Sequence, residues 1–303
     1  ILNATNELLL DMTFLEGNLT TGHRTSIRSG LPTPTWRKLY GGVQPTKSRA
    51  VQVTDNTGMM EDYSEVDKAL VEMAGNPAAF RLQEDRPHIE GMNQEFASTL
   101  FYGDESTAPE EFTGLSARYN SLSAENGDNI IAGGGSGSDN ASIWLICWGP
   151  NTCHGIIPKG SKAGVQQRDL GEVTLENADG SNGRMQAFRT HYRWDVGLSV
   201  RDWRYAVRIA NIDRSALLPT AASGADLNDL MHQAWTEIPN TSMGRCAWYM
   251  DKSILSMLRR QTSSAVSSST LTTDIVGGTM QTSWGGIPIR RCDALRGNEA
   301  TVS

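Results

Sequence analysis

The sequence has no long hydrophobic run, no disulfide framework and no excess of basic residues. Its longest apolar run, residues 143–148, is far shorter than the roughly 20 residues that a membrane-spanning helix needs. Four cysteines in 303 residues, irregularly spaced and without a CxxC pair, indicate neither a disulfide scaffold nor structural zinc. The amphipathic residues 1–17 lack a signal-peptide pattern. These absences predict a soluble protein, made and used in a reducing cytoplasm, that contacts no membrane.

The charge and the composition narrow the class further. The formal net charge is -7, so the chain lacks the basic footprint of a sequence-specific nucleic-acid binder, although a container whose inner wall tolerates DNA is not excluded. Hydrophobic residues make up 38% of the chain and aromatic residues 7%, as in a globular protein with one large core or two modest ones. A disordered tail or a fibre is excluded.

The N-terminal part predicts an extended arm followed by a hairpin. Residues 18–50 are rich in Thr, Ser, Gly, Pro, Arg and Lys and have no sustained apolar period, which is typical of a segment without its own core. The β-prone runs 36–40 and 50–54 flank two glycines and a proline, as in a long hairpin with a glycine-containing turn. Because an isolated two-stranded hairpin is marginal in water, we expect this one to lie on another surface.

Two helices follow in the pattern. Ser64 is a plausible N-cap for a short helix that ends at Gly75. Asn76 and Pro77 then provide a cap and a first-turn proline, and apolar residues recur at helical spacing as far as Gly103. The second helix is therefore expected to contain about 26 residues and to be about 39 Å long. Pro87 lies inside it and is expected to bend or split it.

The middle of the chain predicts strands. Residues 143–148 form a β-type run, and residues 155–158 are expected to return as its partner strand. Alternation between residues 186 and 200 predicts a long half-buried strand. The phase flips at Arg201 and Asp202, so a second strand should follow with Arg204 and Arg208 on its polar face. We therefore expect an antiparallel sheet with one wet face.

The C-terminal part mixes both element types. A helix is predicted at 226–238, a strand at 246–250, a helix at 253–261 and a closing hairpin at 278–291. Helices and strands are interleaved without a regular βαβ repeat, so the predicted class is α+β.

Four stretches of sequence carry a resemblance to a known family. They are QEDRPHIEGMNQEFASTLFYGD (83–104), FTGLSARYN (112–120), IWLICWGPNTCHGIIPKG (143–160) and WDVGLSVRDWRYAVRIANID (194–213). The first two resemble a subgroup of HK97-like major capsid proteins found in several podoviruses and siphoviruses. The order of elements over nearly the whole chain is similar to that fold too, with its N-terminal arm, E-loop hairpin, long spine helix, β-rich peripheral (P) domain and mixed axial (A) domain.

The resemblance implies a division of the chain into six segments. They are the N-terminal arm (1–35), the E-loop hairpin (36–63), the short helix, spine helix and start of the P-domain (64–122), the first part of the A-domain with a connecting loop (123–185), the P-domain strands (186–214), and the rest of the A-domain with a C-terminal return (215–303). Since the arm and the hairpin cannot bury enough area alone, they are expected to carry the contacts between subunits.

The same resemblance implies the function. Subunits would assemble as hexamers and pentamers into an icosahedral shell around packaged double-stranded phage DNA, and would change shape as the shell expands. The implied partners are further copies of the chain, portal and scaffolding proteins and, as an open alternative, a decoration protein, with non-specific contact to DNA. The implied location is the virion, after assembly in the host bacterial cytoplasm. No cleavable scaffolding segment precedes Ile1, so scaffolding is expected to be separate or already removed.

Charge suggests one further contact between subunits. Residues 55–128 contain 16 acidic and 4 basic residues, whereas residues 184–214 contain 7 arginines and 3 aspartates. These opposite charges are expected either to meet across subunits or to form two solvated faces, since exposed ion pairs contribute only about 0 to 1 kcal/mol.

No residue pattern predicts catalysis, a cofactor or a metal site. The glycine run 133–137 lacks the Gly-Lys-Ser/Thr ending of a phosphate loop and precedes a strand, so a flexible surface loop is expected. Cys153 and His154 are adjacent on a strand and should point to opposite faces, which argues against a thiolate and its base. Some relatives cross-link E-loop lysines, and Lys47 lies in the predicted hairpin, but no cross-linking motif accompanies it.

Two alternatives to a phage capsid stay open. An encapsulin-like nanocompartment has the same fold and encloses an enzyme instead of a genome. A cysteine-dependent enzyme would rest on Cys153, His154 and the glycine run alone.

Overall fold

The computed structural model describes residues 7–176, 180, 182–219, 224–264, 271–276 and 279–303. Within them it has thirteen strands and five α-helices. The strands are β1 (Phe14–Glu16), β2 (Gly22–Gly30), β3 (Arg49–Asp67), β4 (Ile130–Ala132), β5 (Asn140–Trp148), β6 (Cys153–Ile157), β7 (Gln166–Glu176), β8 (Arg184–Val200), β9 (Ala206–Asp213), β10 (Arg245–Met250), β11 (Leu271–Val276), β12 (Thr279–Trp284) and β13 (Ile287–Arg291). The helices are α1 (Lys68–Met73), α2 (Pro77–Tyr102), α3 (Leu115–Arg118), α4 (Leu227–Glu237) and α5 (Lys252–Ser264).

The strands form one sheet with two halves. In one half β5 pairs antiparallel with β9 and with β10, and β10 continues through β13 to β12 and β11. In the other half β8 pairs antiparallel with β6, β7 and β3, and β3 pairs with β2. The two halves meet where β5 pairs with β6 at Trp148 and Cys153. Residues 155–158 are predicted to pair with residues 143–148. This prediction is wrong, because β6 pairs along its length with β8 and meets β5 only at Cys153.

The core lies on both faces of β5. Trp144, Ile146 and Trp148 pack into a cluster with α2 and α3, whereas Ile143, Leu145 and Cys147 pack into a second cluster with α4 and α5. Every residue of β5 is buried. A strand that is covered on both faces reads as a continuous apolar run, which explains why residues 143–148 are uniformly hydrophobic.

Helix α2 confirms its predicted limits. The Asn76 side chain accepts a hydrogen bond from the Ala79 amide at 3.2 Å, and Pro77 is the first helical residue. The helix continues past Pro87 to Tyr102, so it is not split. Helix α1 begins later than predicted, at Lys68, because β3 extends through Ser64 to Asp67 and Asp67 is the cap.

The hairpin is longer than the sequence pattern predicts. Its first strand is β2, which pairs with residues 49–56 of β3, and residues 36–40 contain no strand. The prediction of a strand there is wrong. β2 carries His, Arg, Thr and Ser without an apolar alternation, so periodicity could not identify it. The hydrogen bonds of β2 are made with the first part of β3. The rest of β3 is paired with β8.

The wet face predicted for the second strand after Arg201 is also wrong. Residues Trp203–Tyr205 form a 3₁₀ turn, and β9 is buried from Ala206 to Ile212. Arg208 is therefore inside the molecule. The predictions for α4, β10, α5 and the turn at Gly285 and Gly286 are confirmed. None of the described helices is long and apolar enough to cross a bilayer.

Candidate assembly surface

The hairpin of β2 and β3 ends in a loop, residues 31–48, which we call the tip. β2 has no strand partner other than β3 among the described strands, so the hairpin projects from the edge of the sheet. One backbone hydrogen bond is found within the tip, from the Gly41 amide to the Lys38 carbonyl at 3.0 Å. The tip therefore has almost no internal structure to hold it.

Large apolar side chains of the tip are exposed. Trp36 and Tyr40 are fully exposed, and Leu31 and Leu39 are 77% and 88% exposed. Single exposed apolar residues are common, but a concentration of large ones on one loop marks an interaction site. The sequence pattern predicts residues 36–40 as a strand of the hairpin and does not predict their exposure, although a tryptophan and a tyrosine in a polar segment are a usable signal for it.

The tip and both hairpin strands near it are basic. No Asp or Glu occurs between Glu16 and Asp55, whereas the same interval contains Arg24, Arg28, Arg37, Lys38, Lys47 and Arg49. Lys47, the lysine considered for a cross-link, has an exposed side chain in this loop.

The base of the hairpin is fixed to the sheet by a buried carboxylate. Asp55 is 2% exposed. Its Oδ1 lies 2.8 Å from Arg118 Nη2, and its Oδ2 accepts a hydrogen bond from Ser199 Oγ at 2.7 Å. Arg118 belongs to α3 and Ser199 to β8, so one side chain joins three elements. A projecting hairpin with a rigid base presents its tip in a defined direction.

The opposite charges noted in the sequence meet inside one chain. β3 and β8 are paired in register, which places Glu65 opposite Arg189 and Glu61 beside His191. The Arg189 and Glu65 side chains are 2.5 Å apart, and His191 Nε2 is 3.2 Å from Glu61. The expectation that these charges meet between subunits, or form two solvated faces, is wrong for these pairs because the strand register brings them together within the subunit.

Helix α2 is buried mainly in its C-terminal half, and Asp85 is the one fully buried residue of its first half. The residues in the core are Met92, Phe96, Ala97, Leu100 and Phe101. Towards the N-terminus the side chains are mostly exposed, and Leu82 is half exposed. Leu70 and Met73 of the preceding α1 are exposed too. The first half of α2 is therefore a second largely exposed surface.

A buried ion pair joins the C-terminal segment to the body. Arg208 Nη2 lies 2.7 Å from Glu299 Oε2, and both side chains are 5% exposed. Arg208 also donates to the Tyr119 carbonyl at 2.7 Å, and Tyr102 donates to Glu299 Oε1 at 2.5 Å. Burial, and then the Glu299 carboxylate, raise the pKa of Tyr102. The sequence offered no signal for this pair, whose members are 91 residues apart.

The geometry of Cys153 and His154 argues against catalysis. Burial raises the pKa of the Cys153 thiol well above its ordinary value, so it is not a thiolate at neutral pH. Burial, and then the neighbouring His23, lower the pKa of His154 to about 4. Neither ring nitrogen of His154 has a hydrogen-bond partner among the described residues. The two groups therefore do not form a nucleophile and its base.

The glycine run is held by the end of β9. The Gly133 amide donates to the Ala210 carbonyl and the Gly135 amide to the Asn211 carbonyl, both at 2.7 Å. Amides engaged in this way are not free to bind phosphate. The loop is anchored, so the expectation of a flexible surface loop does not describe these two residues.

Comparisons with known proteins identify relatives over the whole length. A family model described as "Major capsid protein GP7" matches residues 1–303. A chain of the cryo-EM structure of bacteriophage Epsilon15 is 37% identical, with a TM-score of 0.73 over 98% of this chain and 90% of that chain. No curated protein matches the sequence.

More distant solved structures resemble the chain as well. A chain of the bacteriophage JBD30 capsid is 9% identical, with a TM-score of 0.48 over 86% of this chain and 83% of that one. A chain of the holo-SrpI encapsulin complex from Synechococcus elongatus PCC 7942 is 9% identical, with a TM-score of 0.47 over 68% and 86%. At these scores neither likeness decides between a virus shell and an encapsulin.

Proposed function

We propose that assembly is the only function of this chain, because the chain belongs to the family of the major capsid protein GP7. This membership makes the chain the shell-forming subunit of a phage virion with the HK97-like α+β fold. Copies associate as hexamers and pentamers into the icosahedral shell around packaged double-stranded DNA. The match over residues 1–303 carries the proposal. The proposal includes the absence of catalysis, of a cofactor and of a metal. The neutral thiol of Cys153 supports the absence of catalysis.

We propose the six-segment division of the chain with one adjustment. The arm, the E-loop, the spine helix with the start of the P-domain, the two parts of the A-domain and the P-domain strands keep their order. The E-loop takes in β2, because β2 is the first strand of the hairpin. The two halves of the sheet meet at a single residue pair. This arrangement supports a P-domain built on β8 and an A-domain built on β5.

The proposed partners follow from this role. Copies of the chain meet through the tip and the exposed half of α2, and portal and scaffolding proteins take part in assembly in the host cytoplasm. A decoration protein is a further proposed partner, and contact with packaged DNA is non-specific, consistent with a net charge of -7.

Electron microscopy of the expressed protein tests the proposal, with and without a scaffolding protein encoded beside it. We expect shells, tubes or sheets from the full chain. The matched control replaces residues 31–48 by Asn-Gly, a two-residue turn that suits a hairpin, and should give folded subunits without shells. DNA in purified particles would exclude an encapsulin. A full chain that stays monomeric under every condition would contradict the proposed function.

A further inference from the structure

We propose that the tip of one copy docks in a carboxylate-rimmed apolar cleft of a second copy, with Trp36 inserted as the anchor. The proposal rests on the proposed function and names the contact by which neighbouring subunits recognise each other. The cleft lies where the second half of β3, the C-terminal half of α2 and residues 110–112 come together. It is on the body of the subunit, away from the tip.

The floor of the cleft is apolar, and the cleft is larger than a cavity that holds benzene. Met59, Met60, Phe112 and Val196 line it. Phe112 and Val196 are almost completely buried, whereas Met59 is 59% exposed. The cleft has a volume of about 170 Å³, and a cavity of about 150 Å³ accommodates benzene. Methionine adapts its shape to an aromatic partner and makes favourable sulfur contacts with it.

The rim of the cleft is acidic. Glu95, Glu110 and Glu111 line it, and no basic residue does. These three carboxylates have no ion-pair partner among the described residues. Four of the five carboxylates of β3 differ from them, because Asp55, Glu61, Asp62 and Glu65 are paired within the chain. Unpaired negative charge is thus concentrated beside the apolar floor.

The tip has the complementary chemistry. Arg37 and Lys38 follow Trp36 directly, and Lys47 and Arg49 lie on the returning strand side. None of these four cations has an ion-pair partner among the described residues. An indole followed by two cations matches an apolar floor with an acidic rim, and charges of opposite sign select both the partner and its register. Trp and Arg are also the residues that most often anchor an interface.

A second copy has to supply the tip. Gly58 at the cleft lies nine positions after Arg49 in β3, and a strand rises roughly 3.3 Å per residue, so the tip begins about 30 Å from its own cleft. The hairpin is antiparallel throughout this interval, which directs the tip away from the body. Trp36 is fully exposed, so it does not fold back. The carboxylates of the cleft and the cations of the tip therefore cannot pair within one chain. They pair when two copies meet.

Paired cysteines in assembled shells test the contact. Shells of Lys38→Cys/Glu111→Cys, oxidised and run on a non-reducing denaturing gel, should show dimers and higher bands. The control Lys38→Cys/Glu125→Cys places the second cysteine at an exposed carboxylate outside the cleft and should show monomers. Single variants report any background from Cys246, the one native cysteine among the four that is not buried. Monomer bands from the cleft pair, or equal ladders from both pairs, would overturn the docking site.

Charge exchange provides a second, independent readout. Arg37→Glu/Lys38→Glu should reduce the yield of shells at least tenfold, and adding Glu110→Lys/Glu111→Lys to the same chain should restore it. Restoration supports the contact even if the cysteine variants fail to assemble, whereas failure to restore it counts against the site. If the wild-type chain forms shells, the proposed function stands whether or not the charge exchange restores assembly. Only a wild-type chain that forms no shells would contradict the proposed function.

Discussion

The buried pair of Arg208 and Glu299 gives the sharpest stability prediction. Removing one partner of a buried ion pair leaves an uncompensated charge and costs about 3 to 5 kcal/mol. Glu299→Gln keeps the size of the side chain and removes only its charge. Arg208→Met removes the cation and keeps most of the packing. Each variant should therefore lower the free energy of unfolding by about 3 to 5 kcal/mol, a large part of the roughly 5 to 15 kcal/mol that a domain has.

The double variant separates the ion pair from other effects. With both charges gone, no buried charge is left unpaired, so the combined cost should be close to that of one single variant and far below the sum. Urea unfolding of the unassembled subunit measures these values, and tryptophan fluorescence is a suitable signal because Trp144 lies 5.3 Å from the Arg208 guanidinium.

An exposed pair supplies the control. Arg204 and Asp202 are 2.8 Å apart, but the Arg204 side chain is 55% exposed, so Arg204→Met should cost less than about 1 kcal/mol. Costs for Glu299→Gln and Arg208→Met that add in the double variant, or that match the cost of Arg204→Met, would refute the assignment of a buried, mutually dependent pair.

Two further predictions concern His154 and the cap of α2. The pKa of His154 is lowered to about 4, below its ordinary value of about 6.5, so the unfolded chain takes up a proton first. Stability should be fully present above pH ~6.5 and fall towards pH ~4, by up to about 3 kcal/mol. Urea titrations should show a flatter pH profile for His154→Leu, and parallel profiles would contradict this. Asn76→Ala should lower the free energy of unfolding by about 1 kcal/mol through loss of the cap to Ala79, whereas Asn76→Asp should not. Equal urea midpoints for Asn76→Ala and wild type would show that the cap contributes nothing.

Local signals in the sequence predict the elements whose limits depend on residues close together in the chain. The limits of α2 follow from Asn76, Pro77 and Gly103, because a cap, a first-turn proline and a terminating glycine act within one helical turn. The turn at Gly285 and Gly286 follows likewise from two adjacent glycines, both with positive φ. Family motifs supplied the overall architecture, since composition and periodicity fix only the class.

Long-range pairing limited the rest. β2 is polar, so its existence depends on β3, and no pattern within residues 22–30 indicates it. The position of Arg208 beside Glu299 depends on how the C-terminal segment returns across the sheet, which no local period records. The acidic cleft is assembled from β3, α2, β8 and residues 110–112, so its residues are scattered in the sequence. Only the exposed Trp36 was open to recognition from the sequence alone.

The continuity of β3 has a mechanical consequence. A single strand of 19 residues runs from the tip to α1, and at roughly 3.3 Å per residue it is about 63 Å long. Tension applied to the tip by a neighbour passes along one covalent chain into the ladder that β3 shares with β8, from Thr57 to Asp67. Because α1 begins at Lys68, directly after the last residue of that strand, a displacement of the tip acts on α1 without crossing a loop.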